Sequence, residues 1–580
     1  MRRIVVVPLA CLALLAACAP APEPPAPDAT PLAPATVAPP ATVVPAAPRP
    51  RSSAPLGFVI ELADDQGEAD IRRAADGVVR EVLAIDRLFP DADPADDPQR
   101  LAQFHRLLAA GPVGEGTAWD LAYLLAERGP FPGVEPDTDD TLVESNKRAA
   151  VGACLGNEGV PAPSDAGWSL KLAQMRVEQA RLLTPPAGGN VFGEGVRICH
   201  PDSGWTAHVD LDLAQIDQAR SLTQLDGGSD ARDPLGYAGN PGHGTATGSV
   251  LISSGGFDAN GTTAPGIVVG LAPRATLVPI RALKSVIQVF DSDIARAVRH
   301  ATTAQCDVVS MSLGGRAFFG LERAINDAVD RGVIVVAAAG NCVGMVVAPA
   351  AYDRSIAVAA TNAADQPWNG SSRGSAVDIA APGEDVYVAR AQPGPTPATT
   401  ADPGDGTSFA TAAVAGAAAV WIGFHGRAAI DQARGSLTRR DLYLRLLAAS
   451  ARKPAGWNAN KYGAGILDLE ALLRQPLGAP RTELRGPPGD DPVALLARML
   501  DRQPDEVRAG VARLLRSPAD LDAELRRYGP ELLDLAARDP DAFRAAIAPR
   551  PRDALLPPEQ LNAVGGRASR ALAARMGETR

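Results

Sequence analysis

The sequence predicts an α/β fold with a doubly wound parallel sheet, a small α+β domain before it and a helical extension after it. Two observations predict the sheet. Near-continuous apolar runs of strand length lie between residues 167 and 474, as strands buried on both faces do. Helical patterns at 293–302 and 321–331 alternate with them, which favours parallel pairing. The predicted strands are 196–199, 276–283, 307–313, 332–340 and 355–360.

Length and charge limit the class of protein. The chain has 580 residues, which is more than one hydrophobic core needs, so several domains are expected. Its hydrophobic content of 46% is that of a globular protein. The formal net charge is −11, without a basic block, and this disfavours nucleic acid as a partner.

The first 18 residues, MRRIVVVPLACLALLAAC, have the form of a signal peptide, because two arginines precede a short apolar run. The end of this run, Leu-Ala-Ala-Cys18, resembles a bacterial lipobox, which implies lipidation of Cys18 and a membrane anchor in the cell envelope. Ala19 follows, and the absence of Asp there favours the outer membrane by the same resemblance. An ordinary signal peptide with an incidental cysteine is the alternative. Residues 19–55 are rich in Pro and Ala and are predicted to be an extended linker.

A small domain is predicted over 56–140. Its signals are a strand at 57–62, a helix at 118–127 and a last strand at 133–137. Another helix is indicated by apolar residues at helical spacing, namely Ile71, Ala74, Ala75, Val78, Val79 and Val82. Residues 141–166 are turn-rich and form a connecting segment to the main domain, 167–474.

The C-terminal extension, 475–580, is predicted to be helical. Proline suits the first turn of a helix, and four helices are expected to open at Pro504, Pro518, Pro530 and Pro540. One amphipathic face consists of Val507, Val511, Leu514 and Leu515. The extension carries no catalytic signal. It is interpreted as a helical appendage, with a partner-docking module as the alternative.

The stretch GDGTSFATAAVAGAAAV, residues 404–420, predicts a buried helix, because it is apolar on every side. Thr407 or Ser408 at its start suits a helix cap. Alternatively, Ser408 is a nucleophile, since the positive end of a helix favours negative charge.

A serine nucleophile needs a base and a group that orients the base. Among the six histidines, His243 stands out because glycines flank it and small residues follow it. Asp202 ends an apolar strand and leads into Ser203-Gly204. His200 and His208 lie near Asp202 in the sequence, and their positions alone do not exclude either of them as the base.

Together, the flanks DSG, GHGT and GTSFAT around Asp202, His243 and Ser408 resemble, in the same order, the three active-site signatures of the subtilisin-like serine peptidases. The resemblance covers about 167–473. It implies a serine endopeptidase that acts on proteins or peptides through an Asp-His-Ser triad and an acyl-enzyme. It also implies that Asn341, with the Ser408 backbone N–H, forms the oxyanion hole. The substrate-binding strand would be Ser312, Leu313, Gly314 and Gly315.

The family resemblance has further implications. Residues 56–140 resemble a propeptide that inhibits its own enzyme, with a permanent accessory domain as the alternative. No cofactor is required for the chemistry. Structural calcium is left open, because the acidic turn at 226–233 has no recognisable ligand spacing.

The chain departs from the family pattern at two places. His200-Pro201 precede Asp202 where the family has apolar strand residues, and Pro201 removes a ladder donor. Ala412-Ala413 stand where many members have proline. The alternatives to an endopeptidase are an inactive subtilase-fold lipoprotein that binds a partner, and ligation or ester hydrolysis by the same acyl-enzyme.

Four cysteines remain outside the signal sequence, Cys154, Cys199, Cys306 and Cys342. They allow three full pairings, and sequence does not choose among them. Their wide spacing disfavours zinc. Buried free thiols are the alternative to disulfides.

Overall fold

The computed structural model describes residues 56–111, 117–137, 160–171, 173–225, 228–236, 240–255, 268–284, 291–394, 396–478, 491–516, 520–550 and 557–577. The predicted signal peptide with Cys18, the linker, most of the connecting segment and Cys154 lie outside these residues.

The N-terminal domain has the order βαββαβ around one antiparallel sheet, with strand order β2-β3-β1-β4. The predicted first and last strands and the second helix are present. The helix predicted from Ile71 to Val82 is too long, because it ends at Ala75 and Val82 instead opens a strand. The elements are β1 (Leu56–Glu61), α1 (Glu68–Ala75), β2 (Val82–Arg87), β3 (Phe104–Ala109), α2 (Ala118–Arg128) and β4 (Gly133–Asp137).

The main domain is α/β, as predicted, and its sheet of seven parallel strands has the order β11-β10-β9-β8-β5-β7-β6. Two further strands, β12 and β13, pair antiparallel beside it. The strands are β5 (Arg197–Asp202), β6 (Leu222–Thr223), β7 (Thr276–Arg281), β8 (Val308–Met311), β9 (Ile334–Ala338), β10 (Ile356–Thr361), β11 (Ile379–Pro382), β12 (Val386–Ala389) and β13 (Ala401–Gly404).

Helices cover both faces of this sheet, and successive strand residues alternate between two cores. Val308 belongs to one core and Val309 to the other, and the same holds for Ile334 and Val335. The helices of the domain are α3 (Val177–Ala180), α4 (His243–Ile252), α5 (Asp291–Thr303), α6 (Phe319–Asp330), α7 (Thr407–His425), α8 (Arg427–Ala433), α9 (Arg439–Ser450), α10 (Ala459–Tyr462) and α11 (Leu469–Leu473).

Helix α7 is the buried apolar helix that the sequence predicts. By length and composition it is the one described helix that could cross a membrane, but it is completely buried inside the protein. It runs through Ala412 and Ala413 without a break. Likewise β5 runs through Pro201 to Asp202, which pair with Ile280 and Arg281 of β7, so Pro201 does not end the strand.

The C-terminal extension is helical. Its helices are α12 (Pro492–Leu500), α13 (Pro504–Leu514), α14 (Leu521–Arg538), α15 (Pro540–Ile547), α16 (Pro558–Gly565) and α17 (Arg570–Met576). Pro504 and Pro540 open helices as predicted, and the predicted face with Val507 and Val511 is buried. Pro530 does not open a helix, because it lies inside α14. Pro518 lies outside the described residues.

Helix α14 packs on α2 of the N-terminal domain through buried polar contacts. Trp119 Nε1 donates to Asp534 Oδ2 (3.0 Å), and the Tyr123 hydroxyl donates to Glu531 Oε2 (2.7 Å). On its other side, Asp534 pairs with Arg316 of the main domain (3.5 Å). This carboxylate therefore joins all three parts of the described chain.

Cysteine pairing is resolved in part. Cys199 on β5 and Cys306, just before β8, form a disulfide with a Cα–Cα distance of 5.7 Å. Cys342 is disulfide-bonded as well. The alternative of free thiols is therefore wrong for these three cysteines.

Candidate active site

Asp202 is the last residue of β5, at the carboxyl edge of the sheet, and its side chain is fully buried. Its Oδ1 accepts hydrogen bonds from the Ser203 backbone N–H (2.7 Å) and from His243 Nδ1 (2.8 Å). Burial alone raises the pKa of Asp202, but the charge and hydrogen bond of His243, the charge of His200 and the Ser203 N–H together outweigh it, and the pKa lies below its usual range. Asp202 is thus an ionised carboxylate held against an imidazole.

His243 is the first residue of α4, and its position depends on the glycines beside it. A Cβ on Gly244 would lie 2.0 Å from Gly204 O, the turn after Asp202. Gly242 has φ +77°, a conformation that favours glycine. These glycines let the start of α4 approach the end of β5 closely enough for the Asp202–His243 bond.

Ser203 and Asp233, for which the sequence suggested no such role, hold the start of α4 against the end of β5. The Ser203 hydroxyl donates to Asp233 Oδ2 (2.7 Å) and accepts from the Gly244 N–H (3.1 Å). The same Asp233 oxygen accepts from the Gly242 N–H (3.0 Å). Asp233 belongs to the acidic turn considered for calcium. No group of three or more His, Cys, Asp or Glu side chains that could hold a metal ion occurs within the described parts of the chain.

Ser408 is the second residue of α7, and Gly406 is the N-cap residue, so Ser408 is not the helix cap. It is 8% exposed. Its hydroxyl donates to Ser312 O (3.2 Å), and the Ser312 hydroxyl donates to Ser408 O (2.8 Å). Ser408 therefore lies at a helix N-terminus, directly against the first residue of the predicted substrate strand.

Asn341 follows β9 and Gly340, and its amide is fixed by Thr407, which the sequence suggested only as a helix cap. Asn341 Oδ1 accepts from the Thr407 N–H (3.0 Å) and the Thr407 hydroxyl (2.7 Å). Its Nδ2 lies on the side of Gly406, where a Cβ would be 3.5 Å from Nδ2 and 3.6 Å from Ser408 N. Asn341 Nδ2 and Ser408 N thus both lie close to the same point beside Gly406.

The predicted substrate strand continues from β8. Ser312 and Leu313 are buried, and the Gly315 N–H donates to Ala348 O (2.8 Å). A Cβ on Gly314 would lie 2.5 Å from Val347 Cγ2, so only glycine fits there without a shift.

The structure thus forms two hydrogen-bonded groups from the predicted residues. One joins Asp202 to His243, and the other joins Ser408 to Ser312. Helices α4 and α7, which carry His243 and Ser408, pack against each other. Within the described residues, no hydrogen bond joins His243 to Ser408.

Comparison with known proteins shows the family of the chain. Residues 193–465 match the model of the Subtilase family. The chain is 31% identical to Subtilisin Savinase of Lederbergia lenta over 313 residues, 53% of this chain and 98% of that protein. It is 34% identical to Subtilisin E of Bacillus subtilis (strain 168) over 213 residues, 36% of this chain and 51% of the relative. A solved protease from Pseudoalteromonas arctica PAMC 21717 covers 54% of this chain and 99% of its own, with 26% identity and a TM-score of 0.41.

The fold and the matched relatives define a serine peptidase of α/β architecture. The chain belongs to the subtilase family, and it is a subtilisin-like serine endopeptidase.

Proposed function

We propose that the chain cleaves internal peptide bonds through an acyl-enzyme on Ser408, with His243 as general base and acid and Asp202 as the carboxylate that orients His243. The observation that supports this most is the 2.8 Å bond between Asp202 Oδ1 and His243 Nδ1. It commits Nδ1 as the donor to Asp202, so Nε2 is left as the basic nitrogen.

The reaction follows from these positions. His243 Nε2 takes the Ser408 proton as Oγ attacks the carbonyl carbon, and then gives this proton to the leaving amine. Water attacks the acyl-enzyme in the second half, again with His243 as base. The Ser408 hydroxyl must rotate from Ser312 O towards His243, which loses one hydrogen bond worth about 0.5–1.5 kcal/mol.

Substrate binding is proposed for the strand from Ser312 to Gly315, which would pair with the substrate backbone and so tolerate many side chains. Digestion of a denatured protein in ¹⁸O-labelled water tests this. We expect cuts at several residue types, with ¹⁸O in each new carboxyl group. Cleavage at a single residue type would contradict the broad tolerance, and ligated products without ¹⁸O would favour transfer over hydrolysis.

Asn341→Ala is expected to lower kcat by about 10²–10³-fold with little change in KM, the scale known for loss of this donor in subtilisin. The amide donates to charge that develops only in the transition state, so substrate binding is unaffected. Steady-state kinetics on a peptide substrate checks this. Asn326→Ala, at a buried asparagine on α6, is the control and should keep the wild-type kcat.

The N-terminal domain is proposed to be a propeptide that acts as intramolecular inhibitor. Its last described strand binds the starts of two helices of the peptidase domain. Asp137 accepts from the Ser292 hydroxyl (2.6 Å) at the start of α5, and Glu135 Oε2 accepts from the Phe319 N–H (3.2 Å) at α6. The arginines of the same helices bind its loops, as in Arg299–Asp91 (2.9 Å).

Docking of this domain is expected to weaken as pH rises from about 4.5 to about 8. Burial raises the pKa of Glu135 from 4.5 to about 8 and that of Asp291 to about 7. Raised pKa values mean that the docked state holds protons that the hydrated groups release, so docking is favoured at low pH and loses stability through this window.

The melting temperature of a Ser408→Ala protein, which cannot cut itself, measures this effect between about pH 4.5 and 8. Glu135→Gln removes one titrating group and should flatten the fall in melting temperature over this range. Glu81→Gln, on the exposed surface of the same domain, should leave it unchanged. Equal slopes in all three proteins would contradict a role for Glu135.

We also propose that Cys18 is lipidated and anchors the uncut chain in the cell envelope, at the outer membrane. The sequence at 15–18 supports this, and the Pro/Ala-rich linker would hold the enzyme away from the lipid. Fractionation of cells that express Cys18→Ser tests it. The variant should leave the membrane fraction, and retention there would argue against the anchor.

A further inference from the structure

A second histidine lies beside the carboxylate of Asp202, whose Oδ2 is also 3.0 Å from His243 Nδ1. His200 is two residues before Asp202 on β5, so both side chains leave the same face of the sheet. It is 1% exposed. His200 Nε2 lies 3.0 Å from Thr247 Oγ1 and 3.5 Å from Asp202 Oδ2.

The hydrogen-bond pattern assigns the proton on this ring. The Thr247 hydroxyl has two acceptors for its one proton, namely His243 O (2.9 Å), four positions earlier on α4, and Asp202 Oδ2 (3.3 Å). The lone pairs of Thr247 Oγ1 are then left for a donor, and His200 Nε2–H supplies it. A bare Nε2 would instead place its lone pair against the negative Asp202, which is unfavourable. The Nε2–H tautomer therefore donates to Thr247 Oγ1, and the same N–H lies 3.5 Å from Asp202 Oδ2 and interacts with its charge.

The charged groups that face His200 are Asp202 on its own strand and His243 on α4. Burial lowers the pKa of His200, His243 lowers it further, and Asp202 raises it by less than these together. His200 is consequently neutral at neutral pH. It offers Asp202 an N–H dipole without competing as a second imidazolium for the same carboxylate.

We propose that His200 is a positioning residue of the catalytic site, which holds Asp202 Oδ2 directly and through Thr247 so that the carboxylate stays aligned with His243 Nδ1. This role rests on the proposed triad. The N–H group of His200 also partly offsets the negative charge of Asp202. This limits how strongly Asp202 raises the proton affinity of His243. In a strand with an apolar residue at this place, Asp202 would lack this donor.

His200→Val and His200→Gln separate this role from simple core packing. Valine fits a buried strand but has no donor, whereas the glutamine amide nitrogen reaches about as far as Nε2 of histidine. We expect His200→Val to lower kcat about five- to twentyfold with KM within about twofold. We also expect the acid limb of the pH profile of kcat/KM to move to higher pH by about half a unit. Without the His200 N–H beside it, Asp202 stabilises the proton on His243 more strongly. His200→Gln should restore most of both.

His208→Gln is the matched control. His208 is buried in the same domain and bonds to Thr400 O (2.9 Å) and the Asp210 N–H (3.0 Å), without contact to Asp202. Its substitution should leave the acid limb in place. Titration of His243 by NMR in a Ser408→Ala background reads the same shift without activity, so a poorly active variant is still informative.

The outcomes separate this proposal from the proposed function. An active wild type with both His200 variants identical to it in kcat, acid limb and His243 titration overturns the role of His200 alone. Equal losses in His200→Val and His200→Gln, with an unshifted His243 titration, assign His200 to packing and also overturn it. A folded wild type that neither hydrolyses peptides nor reacts at Ser408 overturns the triad, and the role of His200 with it.

Discussion

Ser408→Ala is expected to lower kcat by about six orders of magnitude, the scale known for loss of the nucleophile in subtilisin. Without Oγ no acyl-enzyme forms, and His243 has no proton to take. What remains is the slow attack of water on a substrate held near Asn341. The KM should change little, because the substrate strand from Ser312 to Gly315 is untouched. Active-site labelling by a fluorophosphonate, located by mass spectrometry, should be lost together with hydrolysis.

This substitution is mild for the fold. Among the residues that the structure describes, Ser408 Oγ makes one hydrogen bond, to Ser312 O, so its loss costs at most about 1.5 kcal/mol of stability. Ser355→Ala is a suitable control, since Ser355 is a fully buried serine at the start of β10, away from the site. More than about one per cent of wild-type activity in pure Ser408→Ala protein would place the nucleophile elsewhere.

Asp202→Asn is expected to lower kcat about 10⁴-fold, as loss of the orienting carboxylate does in triad proteases. An amide in this place presents either a weaker acceptor or an N–H to His243 Nδ1, and the imidazole is held in the wrong tautomer. The fold should persist, because the amide oxygen can still accept from the Ser203 N–H.

The pH dependence of this variant has a definite sign. Removal of the negative charge lowers the proton affinity of His243, so the acid limb of kcat/KM should move to lower pH, opposite to the shift expected for His200→Val. Kinetics between pH 5 and 10 measures both. Asp212→Asn is the control, since Asp212 only caps a short helix through the Ala214 N–H (2.9 Å). An unshifted acid limb in Asp202→Asn would mean that His243 does not depend on Asp202.

The sequence predicts the peptidase domain well because strands buried on both faces leave long apolar runs, and because Asp202, His243 and Ser408 sit in small-residue flanks that close packing requires. It fails where one residue overrides a pattern. Val78, Val79 and Val82 keep helical spacing after α1, but Gly77 has φ +69° and turns the chain out of the helix. Pro530 looks like a helix start, yet α14 continues through it.

The sequence also does not show which distant segments of the chain are in contact. Cys199 and Cys306 meet only because β5 and β8 are neighbours in the sheet, and no spacing along the chain indicates this. The same holds for Thr407, which fixes the Asn341 amide, and for His200, whose role depends on its distance from Thr247. Motifs identify the residues that react, and only the fold shows which residues hold them in place.

The contact between α2 and α14 fixes the order of events during synthesis. Trp119 and Asp534 are 415 residues apart in the chain. At roughly 5–20 residues per second, the ribosome needs about 20–80 s to make the second partner after the first. During that time, α14 does not yet cover the face of the N-terminal domain that carries Trp119 and Tyr123. Assembly of the three parts therefore waits until α14 has been made.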